Sequence, residues 1–364
     1  MKVDSVTKRA FVYVGTYTSQ GGKGIYVFNM DLDSGKLKSV GGPTVASNPS
    51  FLAVDTKHKH LYAVNEVQSF GGEKSGAVSS FTVDPETGEL AFLNMKSSKG
   101  ASPCYITVDE NGKYVLVANY IGGSVCVLPI LDNGELGDAV DFIQHKGSSV
   151  NPKRQEGPHA HSVVLDPSNH YAFVADLGLD KIMIYKFDPE RGKLTPNKQP
   201  WVKTKPGAGP RILTFHPNGR FAYVINELDS SIVAFNYDIL NGMLEEIQTV
   251  STLPKEFKGI NYAADIHVAP SGKFLYASNR GYDTIAIYKI NEDTGSLCLI
   301  DYKPTQGRTP RDFTISPFGE FLLVANQETN TIVVFRIDQQ TGLLEPTGQI
   351  VKVPSAACVK IVLF

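Results

Sequence analysis

One phrase recurs through the chain: a proline, an apolar run, a tight turn, then a second apolar run ending in Asn or Asp. It occupies Pro49 to Asn65, Pro103 to Asn119, Pro158 to Asp176, Pro210 to Asn226, Tyr262 to Asn279 and Pro310 to Asn326. A period of roughly 50 residues marks a repeat architecture, in which each unit buries its apolar face only against its neighbours. A second series gives the count. Gly35, Gly88, Gly134, Gly192, Gly242, Gly295 and Gly342 are each followed two residues later by leucine, which makes seven units. Within a unit the apolar residues follow a period of two, with no competing helical period. Four short strands per unit, repeated seven times, predict an all-β, seven-bladed β-propeller of antiparallel blades.

The six internal copies and seven glycine turns are reconciled at the ends. The chain opens on a second strand, Phe11-Val12-Tyr13-Val14, and closes on a first strand within Pro354 to Phe364. The C-terminal strand is therefore expected to pair with the N-terminal one and close the ring, with residues 1–364 forming one domain.

Composition excludes several functions. A net charge of −2 gives no global attraction to nucleic acid, and no apolar run has the length of a membrane span. The four cysteines are far apart and without a CxxC pair, so they read as free thiols rather than disulfides or a zinc site. No His/Cys set has metal-ligand spacing, and no cofactor is expected. The segment MKVDSVTKRAFVYVG has no signal-peptide core, and a cytoplasmic location is expected.

Residues common to every repeat read as scaffold; those that break the pattern are candidates for chemistry. The terminal Asn or Asp of the phrase, present in all six copies, reads as a turn-satisfying side chain. The residue after it has no consensus: Glu66, Tyr120, Leu177, Glu227, Arg280, Gln327. At the start of the first strand most units carry small or apolar residues, but from Pro158 onward the side chains are His159, His161, Arg211, Asp265 and Arg311. With Glu227 and Arg280 they form an expected polar ring over one half of a channel mouth. Guanidiniums bind phosphate or carboxylate and stabilise an oxyanion, and an imidazole or carboxylate activates water. His267, by contrast, reads as a hydrogen-bonded core histidine.

Gly157-Pro158-His159-Ala160-His161-Ser162, Gly209-Pro210-Arg211, Asn226-Glu227-Leu228, Tyr262-Ala263-Ala264-Asp265-Ile266-His267 and Pro310-Arg311-Asp312-Phe313 occur in the order that resembles the seven-bladed lactonase family, over essentially the whole chain. The resemblance implies a metal-independent hydrolase of 6-phospho-D-glucono-1,5-lactone in the oxidative pentose phosphate route. It implies catalytic roles for His159, Arg211, Glu227 and Arg280, and substrate binding by His161, Asp265 and Arg311. In that scheme Glu227 or neutral His159 activates water, Arg211 meets the oxyanion, and Arg280, Arg311 or Lys153 holds phosphate. The loop from Gln144 to Glu156 borders the mouth. Two alternatives stand beside this reading: a lactonase or cyclase acting on another lactone, an unphosphorylated sugar lactone or one of the carboxymuconate type, and a non-catalytic interaction platform.

Overall fold

The computed structural model describes residues 9–364. Seven sheets of four antiparallel strands carry the chain, and among the described residues the one helical segment is a single 3-10 turn at Thr18–Gln20. Blade 1 combines the two ends of the chain: Ala356–Leu363 pairs with Ala10–Thr16, Val12 standing opposite Ile361 and Val14 opposite Val359. The expected closure is present. Blades 2 to 7 begin at Leu52–Val54, Pro103–Val108, Ala160–Leu165, Pro210–Phe215, Tyr262–Val268 and Pro310–Ile315, and these first strands contact one another around the central channel.

Apolar side chains fill the spaces between blades. Tyr13, Tyr62, Tyr223 and Tyr276, on the second strands of blades 1, 2, 5 and 6, are fully buried. The seven Gly-x-Leu turns show how neighbouring blades lock. Each glycine has a positive φ, and a Cβ there would strike a ring of the preceding blade: Gly88 against Phe11, Gly242 against Tyr171, Gly35 against Phe321 across the closure. Tyrosine hydroxyls then donate to the glycine carbonyls, Tyr223 to Gly295 at 2.9 Å and Tyr276 to Gly342 at 2.9 Å. Glycine is required because the turn needs a left-handed residue and the ring needs the space of the missing side chain.

The repeated Asn behaves as scaffold. In four blades its side-chain amide donates to the carbonyl of the incoming chain, Asn65 to Ser47, Asn119 to Ser98, Asn279 to Thr252 and Asn326 to Thr305, whereas Asn226 donates to the Ser231 hydroxyl. Blade 4 substitutes Asp176, whose carboxylate pairs with His145 Nδ1 at 2.6 Å and accepts the His159 amide at 2.8 Å.

Candidate functional site

The site is built by a repeated irregularity. At the top of the first strand the pairing with the second strand slips by one residue: between Pro103 and Tyr105, Ala160 and Ser162, Pro210 and Ile212, and Pro310 and Asp312, between Ala263 and Ile266, where two residues separate the paired positions, and at Ala357 in blade 1. A β-bulge leaves its extra residue unpaired and re-aims the side chain. The single residues skipped in blades 3, 4, 5 and 7 are Cys104, His161, Arg211 and Arg311, and together with Ser50 they line the narrow neck of the channel.

This register settles the positions of the two histidines. His161, not the proline-adjacent His159, stands level with Arg211 and Arg311. The proline phrase misaligns blade 4 by two residues because Asp176 takes the His159 amide, so strand pairing starts at Ala160. His159 lies on the shoulder of the mouth. Its ring stacks on Tyr120 at 4.6 Å, with Nδ1 toward the Tyr120 carbonyl and Nε2 toward Glu156. Asp265 is also displaced. It stands level with Ile212 and Asp312, one layer deeper, where its carboxylate meets His267 Nε2 at 2.9 Å and the Phe313 amide. Asp265 lines the cavity at the opposite end of the channel and does not join the arginines. His267 is hydrogen-bonded as expected but is not a core residue: its side chain is 31% exposed and lines the same cavity.

Above the neck lies a cavity of about 190 Å³ lined by Glu66, Cys104, Tyr120, Arg154, His161, Glu227, Arg280 and Arg311. Glu227 is its organising residue. Oε2 accepts from Arg280 Nη2 at 2.7 Å and Arg211 Nε at 3.1 Å, while Oε1 accepts from Arg154 Nη2 at 2.5 Å. Arg211 also donates to the Ala264 carbonyl. Burial would raise the Glu227 pKa, but Arg280, Arg211 and Arg154 outweigh it and hold the carboxyl far below its ordinary range. A second cluster sits across the cavity: Arg311 donates to Tyr17 Oη at 2.6 Å, and Tyr17 and Ser50 donate to Glu66.

His161 is 6% exposed. Burial, followed by the nearby Arg211 charge, lowers its pKa well below the ordinary histidine value, so the ring is neutral near pH 7. Its Nδ1 faces Cys104 Sγ at 3.8 Å, and the thiol donates to the His161 carbonyl. Nε2 has no hydrogen-bonding partner among the described residues. Burial pushes the Cys104 thiol up, so it is a poor nucleophile.

Four guanidiniums thus face two carboxylates and a neutral imidazole, an excess of two positive charges around one channel mouth. Of the residues read from sequence, Arg211, Glu227, Arg280, Arg311 and His161 come together. Sequence reasoning missed Arg154, Glu66, Tyr17, Tyr120 and Cys104. Glu66 and Tyr120 occupy the no-consensus position after the repeated Asn, a signal that pointed to them. Arg154 lies in the 144–157 loop, beside the exposed Lys153 that the sequence suggested instead. Among the described residues no group of three His, Cys, Asp or Glu side chains is placed to hold a metal ion, and no helix is long and apolar enough to cross a membrane.

These features define a seven-bladed propeller with a cationic pocket at one mouth. The family model for the seven-bladed β-propeller lactonases matches residues 11–361. The chain is 37% identical over 304 residues to a 6-phosphogluconolactonase of Bacillus subtilis, covering 83% of each protein. It is 36% identical over 306 residues to a 6-phosphogluconolactonase of Formosa agariphila, covering 83% of this chain and 85% of that one. Among solved structures, the periplasmic gluconolactonase PpgL of Pseudomonas aeruginosa superposes with a TM-score of 0.91 at 35% identity, covering 97% of this chain and 99% of that one. The chain belongs to the seven-bladed β-propeller lactonase family and is a lactone-hydrolysing enzyme.

Proposed function

We propose that the protein hydrolyses 6-phospho-D-glucono-1,5-lactone to 6-phosphogluconate at the Glu227–His161 mouth, a step of the pentose phosphate route. The observation that carries this reading is the two-charge excess beside a buried neutral imidazole. A phosphate monoester carries close to two negative charges near neutrality, and the cavity is smaller than the ~300–1,000 Å³ typical of drug-sized ligands. A monosaccharide lactone suits both constraints.

The chemistry follows from the placement of the side chains. His161 Nε2 removes a proton from water as the water oxygen attacks the lactone carbonyl. The developing oxyanion is met by Arg280 and Arg311, whose charges are already in place and cost no reorganisation at the transition state. The carbonyl reforms as the ring C–O bond breaks, and the ring oxygen takes the proton back from His161. The product is a hydroxy-acid, which ionises to a carboxylate in a cationic pocket. Glu227 is unsuited to the base role, because a carboxylate held so far below neutrality by three arginines has little affinity for a proton. It positions the arginines instead. Arg211 fixes Glu227 and disfavours protonation of His161.

The likeness to PpgL supports a second reading, an unphosphorylated gluconolactone, and with it a periplasmic rather than cytoplasmic setting. Steady-state hydrolysis of both lactones, with the spontaneous rate subtracted, separates the two. The phosphorylated lactone is expected to show the higher kcat/KM. Equal values would exclude the phospho-lactone assignment, and no rate above the spontaneous one for either would exclude the site.

A further inference from the structure

We propose that Arg154 is the residue that discriminates a phosphorylated from an unphosphorylated lactone; this rests on the substrate reading above. Four observations single it out from the other guanidiniums. Arg211, Arg280 and Arg311 are carried by blade strands, whereas Arg154 is supplied by the connection between blades 3 and 4. It is also more open: its side chain is 33% exposed, against 4% for Arg211 and 14% for Arg280.

The second observation is its bonding. One nitrogen, Nη2, makes both of its polar contacts, to Glu227 Oε1 and to Tyr120 Oη at 3.2 Å. Nε and Nη1 have no hydrogen-bond partner among the described residues. The guanidinium therefore retains donors for an anion.

The third is the redundancy around Glu227. If Arg154 turned toward a phosphate, Glu227 would keep Arg211 and Arg280 on its other oxygen. Releasing one arginine of three leaves no buried carboxylate unpaired, so the exchange avoids the penalty that attends breaking an isolated buried pair. Arg211 has no such freedom, being held by Glu227 and the Ala264 carbonyl.

The fourth is position. Arg154 lines both the 190 Å³ cavity and a neighbouring outer pocket of about 380 Å³ that contains Asn151, Leu228, Asp229, Ser230 and Tyr262. It is the partition between them, packed 5.5 Å from the Tyr262 ring centroid. A lactone whose carbonyl faces His161 at the floor carries its phosphate on an exocyclic arm, which points outward, toward this partition. The segment bearing Arg154 is itself rigidly held. Gln155, fully buried, donates to the Leu177 carbonyl and accepts the Asn151 amide, and Ser149 donates to Asp180. The loop backbone thus fixes where Arg154 is carried, while its guanidinium keeps the freedom to turn.

The test is a kinetic comparison of Arg154→Met and Arg154→Lys with the wild type, on 6-phosphoglucono-1,5-lactone and glucono-1,5-lactone, with thermal unfolding run alongside. In Arg154→Met the KM for the phosphorylated lactone is expected to rise roughly 10- to 100-fold, the loss of a charge-assisted contact. The ratio of kcat/KM for the two substrates should fall toward one, competitive inhibition by inorganic phosphate should weaken in parallel, and Arg154→Lys should restore part of the ratio. A preference that survives in Arg154→Met overturns the inference alone, as does a parallel loss on both substrates. Wild-type protein that treats the two lactones alike overturns the substrate reading and this inference with it.

Discussion

In the proposed reaction His161 and Glu227 take different parts because their surroundings push their proton affinities apart. His161 is desolvated beside Arg211 and is kept neutral; Glu227 is equally buried but ringed by arginines and is kept ionised. His161→Gln is expected to lower kcat by roughly 10²- to 10⁴-fold, the span of a lost general base, with unfolding temperature near that of the wild type. A variant within about threefold of wild-type kcat would remove His161 from the reaction. The pH profile carries the same assignment. If His161 is the base, its protonated form is inactive; its pKa is lowered, so kcat/KM should stay level as the pH falls through about 6.5 and drop at more acid values. An acid limb at or above 6.5 in a profile corrected for spontaneous hydrolysis would point to a histidine with an ordinary environment. The sequence made Arg211, Glu227, Arg280 and Arg311 visible because charge interrupts an otherwise apolar repeat. It could not rank His159 against His161, since adjacency to a proline says nothing of which residue a bulge ejects.

At the scale of the element, two departures from regular geometry do most to shape the molecule. The bulges at the tops of the first strands aim His161 and Arg211 over the neck, and the left-handed glycine turns admit the rings of the neighbouring blade. Both recur, but they differ in legibility. The glycines are spelled out in the sequence at a constant offset from leucine. A bulge has no residue signature here: the ejected residue is Cys104, His161, Arg211 or Arg311 according to the blade. Gly242→Ala tests the turn. Its Cβ would lie 2.2 Å from Tyr171 Cδ1 at a φ of +62°, so the strained backbone and the displaced ring together should cost at least about 2 kcal/mol. Urea denaturation reads this directly, and a loss under about 0.5 kcal/mol would show that the ring is free to give way. Gly219→Ala is a useful companion. Its φ of +69° is similar, but the nearest atom to the added Cβ is 3.7 Å away, so it carries the backbone strain without the collision and should cost less.

For the whole molecule the decisive contact is the closure. Ala10–Thr16 is an inner strand of blade 1 because Ala356–Leu363 covers its edge, and Ala356, Cys358 and Val359 are fully buried. Deleting residues from Pro354 onward removes a whole ladder of hydrogen bonds, opens the channel wall and exposes a flat apolar edge of the kind that aggregates. The truncated chain is expected to lose cooperative thermal unfolding and to elute as aggregate in size-exclusion chromatography. A monomer with a cooperative transition near the wild-type temperature would mean that seven blades do not require this strand. The ring also explains how residues from four blades and one connection meet. Arg154, His161, Arg211, Arg280 and Arg311 are scattered over more than 150 positions of sequence, and the propeller axis brings them over one neck.

By itself the sequence determined the repeat, its count, the pairing of the two chain ends and the set of charges that interrupt the pattern. Each of these is written as a residue type at a fixed interval, and hydrophobic periodicity and glycine geometry are local properties. The tertiary structure alone decided which of those charges face one another. It lowered Asp265 by a layer, moved His159 to the shoulder, brought Arg154 in from a loop and made Glu227 a hub. Those outcomes depend on strand register and on contacts between distant blades, and a shift of one residue in register redirects a side chain without altering the pattern that predicted the strand.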